Sequence, residues 1–442
     1  MDGEVQKIKL KEIVPLLKNK NFLKLWLAQI FGQTGINMLH FVLIIQVFER
    51  TGNNFLVCIL IAVLSLPAVL FAPIAGVAAD SFNRKYILLA INIVRLLVTF
   101  SVFYVLHLPF VLYVLGFVIT TASQFNVPTE NSSIPEVIDR AQVFQANSFF
   151  TLSLYATFLV GYTLAGPFLE YFGEIPTLIT IALMFFLAAV SDSVLPNLKN
   201  HLLGDKRTIR EKLHYATVWQ KLVEGLRYIR RDKKLLVVIM QVAFIFSIER
   251  VVIALSPSLA REVFNFSLAE ISFFLITPLG VGTIIGAAVA NKLKIKWPKQ
   301  RIILIGILLD AIVLFLLPLF DNISDILKLF YNFDVTHAIV LRAYVVFLSA
   351  ASGLADVLVI IPANSFIHET VESHTRGRVF ASMYALMNGV GVVLMLLFGW
   401  LASFINLKII FIIFSIATFI AYFYAREHFR VHYPNTSMRP VD

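Results

Sequence analysis

Apolar residues in this chain come in long uninterrupted blocks, and polar residues are gathered into the short gaps between them. Twelve blocks stand out, at about 21–49, 54–79, 85–106, 109–127, 140–169, 175–197, 235–261, 268–292, 300–320, 336–360, 376–403 and 406–426. Each is near the length that a bilayer core demands of a helix, about 20 residues at 1.5 Å apiece. The pattern predicts twelve membrane-spanning helices. The first block follows a Lys-bearing stretch but runs far beyond a signal-peptide core, with no small-residue cleavage site, so it is expected to remain as the first span.

The gaps carry the orientation. Of 37 Lys and Arg, only Arg50, Arg261, Lys328 and Lys408 fall on one side of the predicted layer, and Arg95, Arg250 and Arg342 lie within spans. All the others fall on the opposite side, which the positive-inside rule makes cytoplasmic, together with both termini. Residues 1–20 interleave Lys7, Lys9, Lys11, Lys18 and Lys20 with Ile8, Leu10, Ile13 and Leu16, as an amphipathic segment on the cytoplasmic leaflet does. The longest hydrophilic stretch, 198–234, divides the spans six and six, and its second half, from Trp219 to Lys234, reads as a basic amphipathic helix along the membrane.

An internal repeat supports that division. Pro128, Asn131 and Ser132, followed by Arg140, Val143 and Phe144, recur as Pro362, Asn364 and Ser365, followed by Arg376, Val379 and Phe380. Each copy enters a Gly-bearing span, with Gly161 and Gly166 in one and Gly389, Gly391 and Gly399 in the other. The expected layout is a 1–20 segment, a 21–197 half, a 198–234 linker, a 235–426 half and a 427–442 tail.

Composition agrees. At 59% hydrophobic, 14% charged and a mean hydropathy of +0.82, the chain has lipid as its solvent. The net charge of +10 is spread over the loops with no basic-aromatic module, so it is read as topology and not as a nucleic-acid surface. Cys58 is the lone cysteine and sits in an apolar run, which excludes a disulfide framework. No HExxH cluster, Walker loop or nucleotide fingerprint is present, and no metal, cofactor or enzymatic constellation is expected.

The junction between the second and third blocks holds Gly76, Asp80, Arg84 and Lys85 in the order G-x-x-x-D-x-x-x-R-K. Gly76 is read as letting a neighbouring helix approach, Asp80 as sitting where the helix leaves lipid, and Arg84 and Lys85 as holding the loop inside. In that position the pattern resembles the loop motif between the second and third helices of the major facilitator superfamily. A faded copy, Gly286 with Ala290, Asn291 and Lys292 to Arg301, lacks the acidic residue. Glu224, Gly225, Leu226, Arg227 and Tyr228 are similar to what precedes the seventh helix in the macrolide-efflux and siderophore-exporter branch. The resemblance implies an all-α integral membrane protein with twelve transmembrane helices in two six-helix repeats, exchanging sides about a central cavity.

The same resemblance assigns the cavity to spans one, four, seven and ten, and these hold Gln33, Asn37 and His40, then Gln241, Glu249 and Arg250, then Arg342. Glu249 stands about 21 Å into the seventh span, where an ionised carboxylate is expensive unless paired. Low dielectric favours the neutral acid, so Glu249 is the first candidate for proton coupling and Asp310 the second. The structural alternatives pair Glu249 with Arg342 and Asp310 with Lys292 or Lys294. Arg95 and Asp192 are read as an ion pair inside the first half, and Asp356 as answering a cytoplasmic basic residue. His40 is read first as an interior histidine. Asp80 is expected to meet the N-terminal end of the eleventh helix at Thr375, Arg376 and Gly377, and Arg84 to reach Glu136 or Asp139, together latching one state. One departure is that Gly35 is followed by Ile36 and Asn37, without the carboxylate that drug exporters of this branch carry there.

The leading expectation is a proton-coupled exporter of amphipathic small molecules in the cell membrane, working as a monomer without nucleic-acid partners. A lysophospholipid flippase or a siderophore exporter on the same fold, and more remotely a receptor or scaffold, are the alternatives.

Overall fold

In the computed structural model the described residues are 16–139, 142–198, 215–320 and 337–432. Most of the N-terminal segment, Arg140, residues 199–214 of the linker, Lys328 and residues 433–442 of the tail lie outside them. The described chain is all α: α1 Lys20–Thr51, α2 Asn54–Ser81, α3 Arg84–Val105, α4 Pro109–Gln124, α5 Asn126–Val137, α6 Val143–Phe172 and α7 Glu174–Ser193. There follow α8 Tyr215–Arg231, α9 Lys233–Ser258, α10 Thr277–Lys296, α11 Lys299–Leu316, α12 His337–Thr370, α13 Ser373–Leu401 and α14 Leu407–His432. Among the described residues twelve stretches are long and apolar enough to cross a membrane, with α4 and α5 forming one of them, Pro109–Val137. Helices are the result because a lipid-embedded backbone must satisfy its own polar groups.

Local chemistry sets the ends. Asn83 caps α3 by accepting from the Lys85 amide at 3.1 Å, and Asp232 caps α9 by accepting from Lys234 and Leu235. Gly173 turns α6 into α7 at φ 84°, a conformation side chains rarely adopt.

The fourth and tenth spans extend about ten residues past their apolar blocks, to Val137 and Thr370. Both extensions carry the repeated proline and polar residues. Hydropathy ended these spans early because the polar side chains there face protein: Thr129, Glu130 and Ser133 are all buried.

The chain falls into two compact units, Met1–Arg50 with Val63–Thr217, and Thr51–Ala62 with Val218–Asp442. Within the first unit α1 is the most enclosed span, with 78% of its central window buried. Gly161 of α6 lies so close to α1 that a Cβ there would stand 2.6 Å from the Asn37 Cβ. Apolar side chains such as Leu97, Tyr104 and Phe110 point outward, as a lipid-facing surface requires.

In the second unit α10 and α12 nearly touch backbones. A Cβ on Gly282 would lie 1.9 Å from the Ala350 carbonyl oxygen, and one on Gly353 2.0 Å from that of Leu279. Small residues are what admit such a crossing between membrane helices. The basic helix α8 docks on α13 by the same means. Gly225 leaves room for the Arg378 carbonyl and Ser382, Ser382 donates to the Leu222 carbonyl at 2.9 Å, and Arg378 reaches Glu224 at 2.6 Å.

Candidate functional site

The loop motif lies between α2 and α3 of the first unit. Arg84, 6% exposed, donates through Nε to the Ala79 carbonyl at 3.0 Å and through Nη1 to Glu136 near the end of α5. Of the two carboxylates expected to receive it, Glu136 is the one bonded. Asp80 is exposed at the end of α2, and Lys85 is half-buried in the first turn of α3. Gly76 departs from its expectation: among the described residues a Cβ there would meet nothing within 4 Å. The tight crossings of this unit are at Gly32, Gly35 and Gly161 instead.

Eleven residues past Arg84, Arg95 opens a buried polar network. Its Nη1 donates to Asn92 Oδ1 at 3.2 Å and its Nε to Ser123 Oγ at 3.1 Å, and Asn92 Nδ2 donates to Asp192 Oδ2 at 2.7 Å. The expected Arg95–Asp192 ion pair is therefore bridged by an amide. Glu130, bonded by the Asn126 side chain, lies within electrostatic reach of both Arg95 and Asp192. Gly32 on α1 makes the space, since a Cβ there would stand 3.0 Å from Arg95 Nη1. Sequence reading missed Glu130 because it stands beyond the apolar block, in a stretch that looks like loop.

Three carboxylates gather in the second unit. Asp310 on α11 accepts from Ser352 on α12 at 3.2 Å, and its other oxygen is buried without a partner. Asp356 lies one helical turn from Ser352 on the same face of α12. Gly306, one turn before Asp310, packs on Ala355 and Val359, which places Asp356 alongside Asp310. Glu249 on α9, half-buried, is within electrostatic reach of both. Among the described residues no Lys or Arg forms an ion pair with any of the three. Asp310 does not pair with Lys292 or Lys294, because it faces α12 while both lysines are exposed. Asp356, likewise, has no basic partner. Asp310 thus belongs with Glu249 and Asp356.

Arg342 does not pair with Glu249. It donates to Glu270 Oε1 from Nε at 2.8 Å and from Nη2 at 2.5 Å. Glu270 Oε2 in turn accepts from the Ser267 amide at 2.9 Å, while Ser267 Oγ accepts from the Glu270 amide at 3.3 Å. This reciprocal box caps the single turn Leu268–Glu270 between two spans. Burial works to raise the Glu270 carboxyl, but the Ser267 hydrogen bonds and the Arg342 guanidinium outweigh it and hold the group below its usual range. The spacing Ser267-x-x-Glu270 is a signal that sequence reading could have used.

Arg250 donates to Asn388 at 2.8 Å and lies over the Phe246 ring. Gln241 donates to the Ala421 carbonyl at 3.4 Å. In the first unit Gln33 is buried, Asn37 and His40 are half-buried, and His40 Nε2 has no hydrogen-bond partner. Among the described residues no group of three His, Cys, Asp or Glu is placed to hold a metal ion.

Residues 12–437 match the family MFS_3, described as transmembrane secretion effector. An uncharacterized MFS-type transporter of Bacillus subtilis (strain 168), YfiS, is 26% identical over 284 residues, which are 64% of this chain and 66% of that relative. The match therefore spans a little under two thirds of the relative's length. Among solved structures, a mutant of the nucleoside transporter NupG superposes with a TM-score of 0.72 at 12% identity, covering 92% of this chain and 99% of that one. A POT family transporter in complex with a thioalcohol-conjugated peptide gives 0.69 at 12%, covering 94% and 96%. An inward-facing bacterial homologue of the human lysosomal transporter Spinster gives 0.64 at 13%, covering 92% and 97%. At these identities the likeness is one of fold.

Proposed function

The chain belongs to the MFS_3 family and is a multi-pass membrane transporter of the major facilitator type; from that premise we propose that it exports amphipathic small molecules across the cell membrane in exchange for protons. Both termini are cytoplasmic in this reading, and a single chain carries out the cycle by alternating access. The family's description as a secretion effector supports outward movement, and the Glu224–Tyr228 segment supports the macrolide-efflux and siderophore-exporter branch.

One observation carries the coupling. Glu249, Asp310 and Asp356 share a region of the second unit with one hydrogen bond among them and no ion pair among the described residues. Ionised Asp310 and Asp356 in that setting lose hydration without gaining a counter-charge, Glu249 has only its chain neighbour Arg250 within electrostatic reach, and the mutual repulsion of the three adds to the penalty. Taking up a proton from one side and releasing it to the other converts that penalty into a coupling step. Glu249 on α9 and Asp356 on α12 stand on spans that the resemblance assigns to the transport path, and Gln33, Asn37, His40, Gln241 and Arg250 are the candidate polar residues of that path. Asp80, Arg84 and Lys85 form the cytoplasmic gate.

The test is accumulation of a panel of fluorescent amphipathic compounds in cells making the wild type or Glu249→Gln, with and without a protonophore. Lower accumulation with wild type, abolished by either the substitution or the protonophore, supports coupled export through Glu249. Export that survives both removes proton coupling from the mechanism.

A further inference from the structure

The first unit holds a second buried charge centre, which the proposed coupling site does not use. Arg95, Glu130 and Asp192 are 1%, 4% and 0% exposed. They come from α3, α5 and α7, and the groups packed around them are neutral: Asn92 on α3, Ser123 on α4, Asn126 on α5 and Gly32 on α1. His40 also lies within Arg95's electrostatic reach. It lies eight residues beyond Gly32 on α1, about 12 Å further along the helix.

With both carboxyls ionised, the centre carries one negative charge more than Arg95 can balance. Net charge sealed from water is costly, and a buried group sheds it by changing its protonation. We propose that Glu130 and Asp192 share a single bound proton beside Arg95, forming a proton-binding centre of the first unit in addition to the carboxylates of the second.

The hydrogen bonds fit a proton that can leave and return. Each carboxyl keeps an amide donor whether charged or neutral, Asn126 for Glu130 and Asn92 for Asp192. Asp192 Oδ1 is buried without a hydrogen-bond partner, so one acceptor stands open to the proton. Arg95 Nη2 is likewise buried and unpartnered, a spare donor that steadies the charge when the proton departs. Asn92 touches both Arg95 and Asp192, so a change at one is felt at the other.

The experiment is infrared titration of the protonated-carboxyl band of the full-length protein in lipid nanodiscs. It uses a background in which Glu249→Gln, Asp310→Asn and Asp356→Asn silence the second unit. The expected result is a residual titrating band of one carboxyl, lost in both Glu130→Gln and Asp192→Asn and kept in His40→Gln. Thermal unfolding supplies the charge count: each single substitution keeps the centre neutral and close to the background Tm, whereas the double one strands Arg95 and lowers Tm. If the triple background does not fold, the same singles in the wild type lose one carboxyl of amplitude. The proposal is overturned by a background with no titrating band, by a band that survives both singles, by its loss in His40→Gln, or by singles that unfold as early as the double. Because the readout needs no transported compound, it stands or falls apart from the export reading.

Discussion

Arg342 closes on one oxygen of Glu270, at 2.8 and 2.5 Å, while the other oxygen takes the Ser267 amide. A single carboxylate thus ties α12 to the turn between the seventh and eighth spans. The arginine that sequence reading offered to Glu249 is committed elsewhere, and the basic group within electrostatic reach of Glu249 is its chain neighbour Arg250.

This tie predicts a pH response. Glu270 titrates below its unfolded value, so its contribution is complete above the ordinary carboxylate range and disappears as pH falls through the lower folded value. Arg342 is 41% exposed, which limits the contribution to about 1 kcal/mol or less. Hydrogen exchange over residues 259–276 is expected to quicken in Glu270→Gln at neutral pH. In the wild type it should quicken only in acid. Equal exchange in the two at pH 7 would remove the clamp.

Asp310 and Arg95 are expected to respond oppositely to neutralisation. Asp310→Asn leaves no cation behind and keeps an acceptor for Ser352, so its Tm should stay near wild type. Arg95→Gln strands two buried carboxyls, a loss on the order of 3–5 kcal/mol for a broken buried pair. Thermal unfolding of the two variants side by side checks the contrast. A large drop for Asp310→Asn would mean that its carboxylate is structural.

The twelve spans were legible because lipid imposes one rule, long apolar helices, and sequence displays it directly. One contact of the loop motif was legible too, Arg84 meeting Glu136, one of the two carboxylates offered to it. What escaped was pairing across helices. Glu130 looks like a loop residue until α5 carries it under Arg95, and Ser352 is an ordinary serine until it faces Asp310. At Gly76 no neighbour stands close among the described residues; spacing shows which residues share a face but not what lies against it. At Gly225, by contrast, the motif's glycine has a visible cause in the α13 backbone.

Gly225→Val should therefore unseat α8. A Cβ there would lie 2.1 Å from Ser382 Oγ and 2.5 Å from the Arg378 carbonyl oxygen, and the serine can rotate but the carbonyl cannot. Overpacking of this kind costs about 1–3 kcal/mol. Glu224→Gln removes only a partly exposed ion pair and should cost about 0.5 kcal/mol. Limited proteolysis of α8 together with Tm separates the two. Equal protection in Gly225→Val and wild type would count against docking through this glycine.

The loop motif itself divides into a structural and a moving part. Arg84 uses two nitrogens in different directions, one to the Ala79 carbonyl and one to Glu136, and a lysine offers a single point charge on a flexible stem. Arg84→Lys should thus lose about 1–3 kcal/mol of stability by leaving one of those acceptors unserved. Asp80 is exposed, so Asp80→Asn should change stability by less than about 1 kcal/mol. If Asp80 latches one state of the cycle, that variant should still transport more slowly than wild type. Measuring Tm and transport rate on both variants sets the two roles apart. Slow transport in a fully stable Asp80→Asn places the residue in the cycle, whereas a wild-type rate strikes the latch from it and leaves Arg84 and Glu136 as a brace for the first unit.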